Sequence, residues 1–291
     1  MIDPIDRIAN RPQTRFRDYV LQDYEPRADP RLGLHPASLL RAILRERGLL
    51  DLSWPILAAI RDHVGSDETV WGAKFSPQGF GLELYFYTYA LGPRKRGKKA
   101  AGSLRRALEP LLAVKGAVDE ASHYFMCSLD LDEEILRRRV APGFRIYLNG
   151  GGRRQIQGGF SFLASSSGCR LENHYWFYRG TSSGAGEVRN RLVASPRSGA
   201  RSSAVFPPYL ADCHTICYAV KPSHDGLYFS RLTGAQVARF LASHGYEPLA
   251  RAFHGPQSSF SHLRWDIGYD FSKGAPDEAP KIQKIGLYGL L

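Results

Sequence analysis

Arg145 and Tyr147 in FRIYLN (144–149), and Lys284 and Tyr288 in KIQKIGLYGLL (281–291), each set an anion-binding cation beside an electron-rich phenol. Residues two apart in a β-strand share a face, so each pair points one way. Phe144, Ile146 and Leu148, and likewise Ile285 and Leu287, point the other. A basic, phenolic face opposite an apolar one describes a strand packed outward on its greasy side and turned into a polar lumen on the other. An isolated buried cation is costly, and several converging on one cavity repel each other unless a polyanion joins them. A diphosphate resolves that conflict through charge-assisted hydrogen bonds. Tyrosine faces nearby would stabilise a developing cation by about 0.5–2 kcal/mol each when desolvated. The combination suits ionisation of an allylic diphosphate.

Five antiparallel strand pairs can be read along the chain to position these residues: ETVWGAKFS with LELYFYTY, HYFMCSLDLD with FRIYLN, GGFSFLAS with CRLENHYWFY, CHTICYAVK with GLYFSRL, and HLRWDIGYDF with KIQKIGLYGLL. Helical spacing marks residues 36–63, 100–114 and TGAQVARFLASHG. Hairpin loops this short exclude parallel crossovers, and ten antiparallel strands can close around a ligand-sized lumen. The expected fold is therefore α+β: a ten-stranded antiparallel barrel with a solvent-filled lumen ringed by α-helices. It forms one domain over 1–291, with a helical lead-in over 1–66. The Ser-, Gly- and Arg-rich stretch 180–205 reads as a mobile excursion around the short helical piece EVRNRLV.

With the apolar faces outward, the inward set includes Glu68, Gly72, Lys74, Glu83, Tyr85, Tyr87, Tyr124, Met126 and Ser128 from the first half. From the second half it includes Arg145, Tyr147, Asn149, Thr215, Cys217, Lys221, Tyr228, Ser230, Arg264, Asp266, Lys284 and Tyr288. The third pair is ambiguous, and one choice of face puts Arg170, Glu172, His174 and Trp176 inside. DLDEE (130–134) reads as a solvated acidic patch between strands.

Composition narrows the classes. At 43% hydrophobic and 12% aromatic the 291 residues can bury a substantial core. No apolar run reaches the ~18 residues of a membrane span, and MIDPIDRIANRPQ lacks the layout of a signal peptide, so a cytoplasmic protein is expected. Four irregularly spaced cysteines are structural thiols rather than a disulfide framework. The net charge of +11 lies largely in RKRGKK (94–99), RRR (137–139) and Arg153–Arg154. These runs have the Gly- and Pro-flanked setting of solvated connections and lack a nucleic-acid recognition module. Neither a dinucleotide fingerprint, a phosphate loop nor a metal-ligand histidine spacing is present.

The five hairpins, the basic-x-Tyr strand FRIYLN, GLYFSRL followed by a helix, and the closing KIGLYG together resemble the ABBA-type prenyltransferases, closest in pattern to the cyanobactin-type peptide prenyltransferases. The resemblance spans residues 66–291. It implies repeated αββα units, a monomer, and transfer of a dimethylallyl or geranyl group from its diphosphate to a nucleophilic side chain of a cyclic peptide. A free indole or phenol acceptor, or a non-catalytic barrel binding an amphipathic anion, are the alternatives. On the family pattern Arg145 and Lys284 bind diphosphate, while Tyr147, Tyr288 and Tyr228 shield the carbocation. Glu68 takes the acceptor's proton. Lys74, Lys221 and Arg264 supply charge where Glu83 and Glu172 depart from the pattern. Tyr85, His174 and Trp176 complete the shield and acceptor pocket. Mg²⁺ is implied through the diphosphate, with no protein metal ligands, no nucleic acid and no membrane as partner.

Overall fold

The computed structural model describes residues 15–29, 33–89, 96–150, 157–198, 202–254, 258–274 and 278–291. The N-terminal stretch 1–14, Arg94 and Lys95 of the first basic run, and Arg153–Arg154 lie outside the described residues. The strands are β1 (Val70–Ser76), β2 (Gly79–Tyr87), β3 (Ala113–Val114), β4 (Tyr124–Asp132), β5 (Val140–Ala141), β6 (Gly143–Gly150), β7 (Gln157–Ser165), β8 (Gly168–Arg179), β9 (Thr215–Val220), β10 (Asp225–Leu232), β11 (Trp265–Ser272) and β12 (Lys281–Leu290). The helices are α1 (Pro36–Glu46), α2 (Leu50–Val64), α3 (Ala101–Leu108), α4 (Glu133–Arg138), α5 (Ser182–Ala194), α6 (Ser202–Val205), α7 (Gly234–Ser243) and α8 (Glu247–Ala250).

Ten strands close into an antiparallel barrel in the order β1-β2-β4-β6-β7-β8-β9-β10-β11-β12, and β12 returns to β1. Every neighbour in the sheet is also the next barrel strand in the chain, so no connection crosses another. The two-residue strands β3 and β5 pair in parallel outside the barrel.

Alternation along the strands builds two separate apolar clusters. Outward residues such as Trp71, Phe75, Leu84, Phe86, Leu129, Phe144, Phe229, Trp265 and Leu287 pack with helix residues. Those helix residues include Leu40 and Ile43 of α1, Leu57 and Ile60 of α2, Val188 and Leu192 of α5, and Phe240 and Leu241 of α7. The inward cluster holds Val70, Tyr85, Tyr87, Met126, Tyr147, Tyr288 and Leu290. Local signals fix the helix ends: Gly48 turns at φ 67° between α1 and α2, and a Thr233–Gln236 capping box starts α7.

Three expectations change. Among the described residues before β1, helix begins only at Pro36; Arg15–Asp29 is an irregular strap in which Arg17 and Asp23 form a β-bridge. Within 180–205, α5 spans thirteen residues and buries Ala185, Val188 and Leu192 against the barrel, because its apolar spacing extends upstream of EVRNRLV. The lumen is solvent-filled only at one mouth, since tyrosines fill its waist. Among the described residues no helix is long and apolar enough to cross a membrane.

Glycines make room for those tyrosines. A Cβ on Gly268 would lie 2.2 Å from Cδ1 of Tyr228, and one on Gly72 would lie 2.6 Å from Cε1 of Tyr288. Gly268→Ala should therefore overpack the lumen and destabilise the protein by about 1–3 kcal/mol. Urea unfolding checks this, and an unchanged midpoint would contradict the tight contact.

Candidate functional site in the barrel lumen

The lumen has three levels. At the end formed by the β1–β2 and β9–β10 turns, four cations converge: Lys74, Arg145 and Lys284 from strands, and Lys221 from the turn after β9. The register agrees with the shared face, because Arg145 pairs opposite Ser128, and Lys284 opposite Asp270. Each cation meets a carboxylate. Arg145 reaches Glu83 at 3.0 Å, Asp130 at 2.5 Å and Glu172 at 3.3 Å. Lys74 contacts Glu83 and lies 3.2 Å from Asp130. Asp270 accepts from Lys221 at 2.6 Å and pairs with Lys284 at 2.8 Å, and His224 stands 3.2 Å away. Four carboxylates thus face four principal cations.

Burial opposes charge at every one of these groups, and opposite charges outweigh it at most. Burial raises the Asp130 carboxyl, but Arg145 and Lys74 hold it well below the usual range. Asp270 is likewise held low by Lys221 and Lys284 against its own burial. Glu83 is pushed up by burial and by Asp130, and Lys74 and Arg145 bring it back below normal. Lys221 is the exception: burial, aided by Lys284 and Lys74, overcomes Asp270 and pulls it down to about 8. One buried donor at this end, Nε of Arg145, has no hydrogen-bond partner among the described residues.

Next along the axis is a tyrosine cage. Tyr85 and Tyr288 lie 6.0 Å apart between ring centroids, Tyr228 and Tyr288 6.3 Å, Tyr85 and Tyr147 6.5 Å, and Tyr147 and Tyr175 5.9 Å. The phenols tie the cage to the charges. Tyr85 and Tyr147 donate to Glu83, which also accepts from Ser128 at 2.7 Å. Lys221 donates to the Tyr228 oxygen at 2.9 Å. Burial raises all five phenols, so they stay neutral and offer π-faces rather than phenolates.

Beyond the cage the barrel opens as a cleft of about 1680 Å³. It is lined by Tyr87, Phe125, Tyr147, Tyr175 and Phe177, and by Gly180, Thr181, Ser183 and Gly184 at the start of α5. The strap crosses one side of this mouth and lowers Tyr19 to within 5.4 Å of Tyr288 and 5.9 Å of Tyr85.

Of the residues singled out from sequence, Lys74, Arg145, Lys221 and Lys284 come together, as do Tyr85, Tyr147, Tyr228 and Tyr288. Four others do not join them. His174 and Trp176 are on the outside, where His174 stacks on Phe160 and Trp176 packs against the outer core. A bulge opposite Ser161–Phe162 shifts the register of β8, so Glu172 is inward but Asn173, Tyr175 and Phe177 continue the lumenal face. Arg264 stands at the open mouth, its backbone N–H bonded to Tyr24, six residues and about 20 Å of strand from the cation cluster. Glu68 is at that same rim, paired with Arg17 at 3.0 Å and Lys99 at 2.7 Å. Those cations overcome its partial burial and hold its carboxyl below normal, which weakens it as a base. Tyr124 also faces outward, after a second bulge, and stacks beneath Arg96.

Sequence reading missed Asp130, Asp270, Tyr175 and Tyr19. Asp270 was legible, being four residues beyond Asp266 on one strand. Asp130 belongs to β4 and the lumen rather than to a solvated patch. Tyr175 was hidden because the bulge leaves no local mark in an aromatic-rich strand. Among the described residues no three His, Cys, Asp or Glu side chains gather as a metal site, and Asp130 and Asp270 each already hold two cations. This donor set does not fit a protein-held Mg²⁺.

Comparison with known protein-family models and with curated proteins finds no match.

The Lys221 shift fixes the sign of a pH effect. Its folded value of about 8 lies below the ordinary 10.5, so between the two the unfolded chain binds more protons. Its burial penalty is present in full below pH 8 and is relieved as the pH rises toward 10.5. Urea-unfolding free energies of the wild type should accordingly gain on those of Lys221→Met across that window. A constant difference would refute the shift.

Proposed function

We propose that this chain is a prenyltransferase that moves an allylic group from its diphosphate to an aromatic or other nucleophilic side chain of a peptide. One observation carries the reading: four cations, from three strands and the turn after β9, face one end of a closed lumen directly beneath five neutral tyrosines. Diphosphate oxygens would take the places now filled by Asp130 and Glu172, the more exposed carboxylates, and would satisfy the orphaned Nε of Arg145. The allylic C–O bond then breaks with its electron pair leaving on the diphosphate. The faces of Tyr85, Tyr147, Tyr175, Tyr228 and Tyr288 stabilise the cation, and the acceptor attacks from the open mouth. Water in the cleft takes the acceptor's proton, because Glu68 is paired at the rim and Glu83 is engaged by two cations.

The size of the mouth favours a peptide acceptor. About 1680 Å³ exceeds the ~300–1,000 Å³ usual for small-molecule sites. The strand order also supports the ABBA resemblance: helices separate the first hairpin from the second, the third from the fourth, and the fourth from the fifth. Between β6 and β7 the connection, 151–156, lies outside the described residues.

A second reading has its own support. Because the cations are already matched by Glu83, Asp130, Glu172 and Asp270, the lumen is complete without an anion, as in a barrel that binds an amphipath without chemistry. Incubation with dimethylallyl or geranyl diphosphate and a panel of aromatic peptides distinguishes the two by diphosphate release and product mass. Under the catalytic reading, Arg145→Ala and Lys284→Ala each lower turnover of the best donor by about 100-fold or more. Binding without diphosphate release in the wild type would favour the second reading, and unchanged turnover in both variants would remove the diphosphate assignment.

A further inference from the structure

We infer that the strap Arg17–Asp23 is a displaceable occupant of the lumen, which a ligand entering the tyrosine cage must drive out. The inference deepens the proposed function by adding a gate to that site, and the gate operates whether the ligand is transformed or only bound.

The first observation is what the strap fills. Tyr19 sits among Tyr85, Tyr87 and Tyr288, with ring centroids 5.9, 6.1 and 5.4 Å away. Beneath Tyr19 and Val20, beside Cys217, Tyr228 and Ser230, only about 20 Å³ remains free. A single benzene ring is accommodated by a cavity of roughly 150 Å³. No isoprenyl chain or acceptor ring fits this half of the cage with Tyr19 in place.

The second is how the strap is held. Its apolar tip is fixed by a few polar latches rather than by strand pairing. Asp18 pairs with Arg231 at 2.7 Å, the Tyr19 N–H donates to Asp266 at 2.7 Å, Tyr89 donates to the Val20 carbonyl at 2.5 Å, and Arg17 reaches Glu68. Asp18 and Asp266 are both buried, and Asp18 adds to burial in raising the Asp266 carboxyl.

The third is strain. Five non-glycine residues among those described have positive φ: Leu21, Asp67, Tyr89, Arg139 and Arg231. Leu21 belongs to the strap, and Asp67, Tyr89 and Arg231 each hydrogen-bond to it. Only Arg139, at the end of α4, lies elsewhere. Left-handed backbone at ordinary residues is unfavourable and collects where a second conformation is used. Four such residues at one seam mark the strap as the element with two positions.

Full-length protein tests this with N-phenyl-1-naphthylamine, an uncharged apolar fluorophore that requires no catalysis. In the wild type, saturation with the probe should raise hydrogen exchange across residues 15–24, including the Tyr19 amide now protected by Asp266. Tyr19→Gly, which removes the strap's ring from the cage, and Tyr89→Phe, which removes only the hydroxyl latch, should both tighten probe binding. The expected gain for Tyr89→Phe is up to about tenfold, the fold-change of one hydrogen bond. Probe binding that leaves exchange of 15–24 unaltered would overturn the gate, as would unchanged probe affinity in both variants. Since neither readout involves a diphosphate, failure of prenyl transfer would leave this result intact, and the reverse also holds.

Discussion

Charge neutralisation inside a closed lumen is the constraint on which the rest of this structure depends. Closing ten strands into a barrel removes the sheet edges, but it turns one face of every strand toward its neighbours with little water between them. A cation placed there must find an anion, and Lys74, Arg145, Lys221 and Lys284 find Glu83, Asp130, Glu172 and Asp270. Breaking one such buried pair costs about 3–5 kcal/mol. The eight side chains therefore hold one another in place and keep the far end of the barrel from collapsing.

The same network orients the aromatic level above it. Glu83 accepts from Tyr85, Tyr147 and Ser128 while bridging Lys74 and Arg145, and Lys221 bonds to Tyr228. Glycines at Gly72, Gly268 and Gly286 let Tyr228 and Tyr288 lie close against the wall. Polar floor, phenolic waist and open cleft thus follow one another along the axis. An amphipathic molecule with an anionic head and an unsaturated tail matches that gradient.

Stability and function compete at this floor. On the proposed function an anionic ligand would replace carboxylates that already satisfy the cations, an exchange of partners rather than the filling of an empty basic pocket. Asp130 and Glu172 are suited to yield because they are more exposed than Glu83 or Asp270. At the opposite mouth Tyr19 imposes a similar exchange, ring for ring.

By itself the sequence determined the ten strands, their pairing into hairpins and the face that each of most of them turns inward. These are local properties: alternation with period two, short turns and capping residues act within a few positions. It therefore located Arg145, Tyr147, Lys284 and Tyr288 as lumenal, together with Lys74, Tyr85, Lys221 and Tyr228. Only the tertiary structure decided the partners. Bulges in β4 and β8 turned Tyr124, His174 and Trp176 outward and Tyr175 inward, because one extra residue reverses every later side chain. Distance along the axis removed Arg264 and Glu68 from the charged end. The pairing of each cation with a carboxylate joins strands far apart in the chain, such as Glu83 with Arg145 and Asp270 with Lys221, and the strap reaches across more than two hundred residues from Asp18 to Arg231. Such contacts arise only when the barrel closes, so no window of sequence contains them.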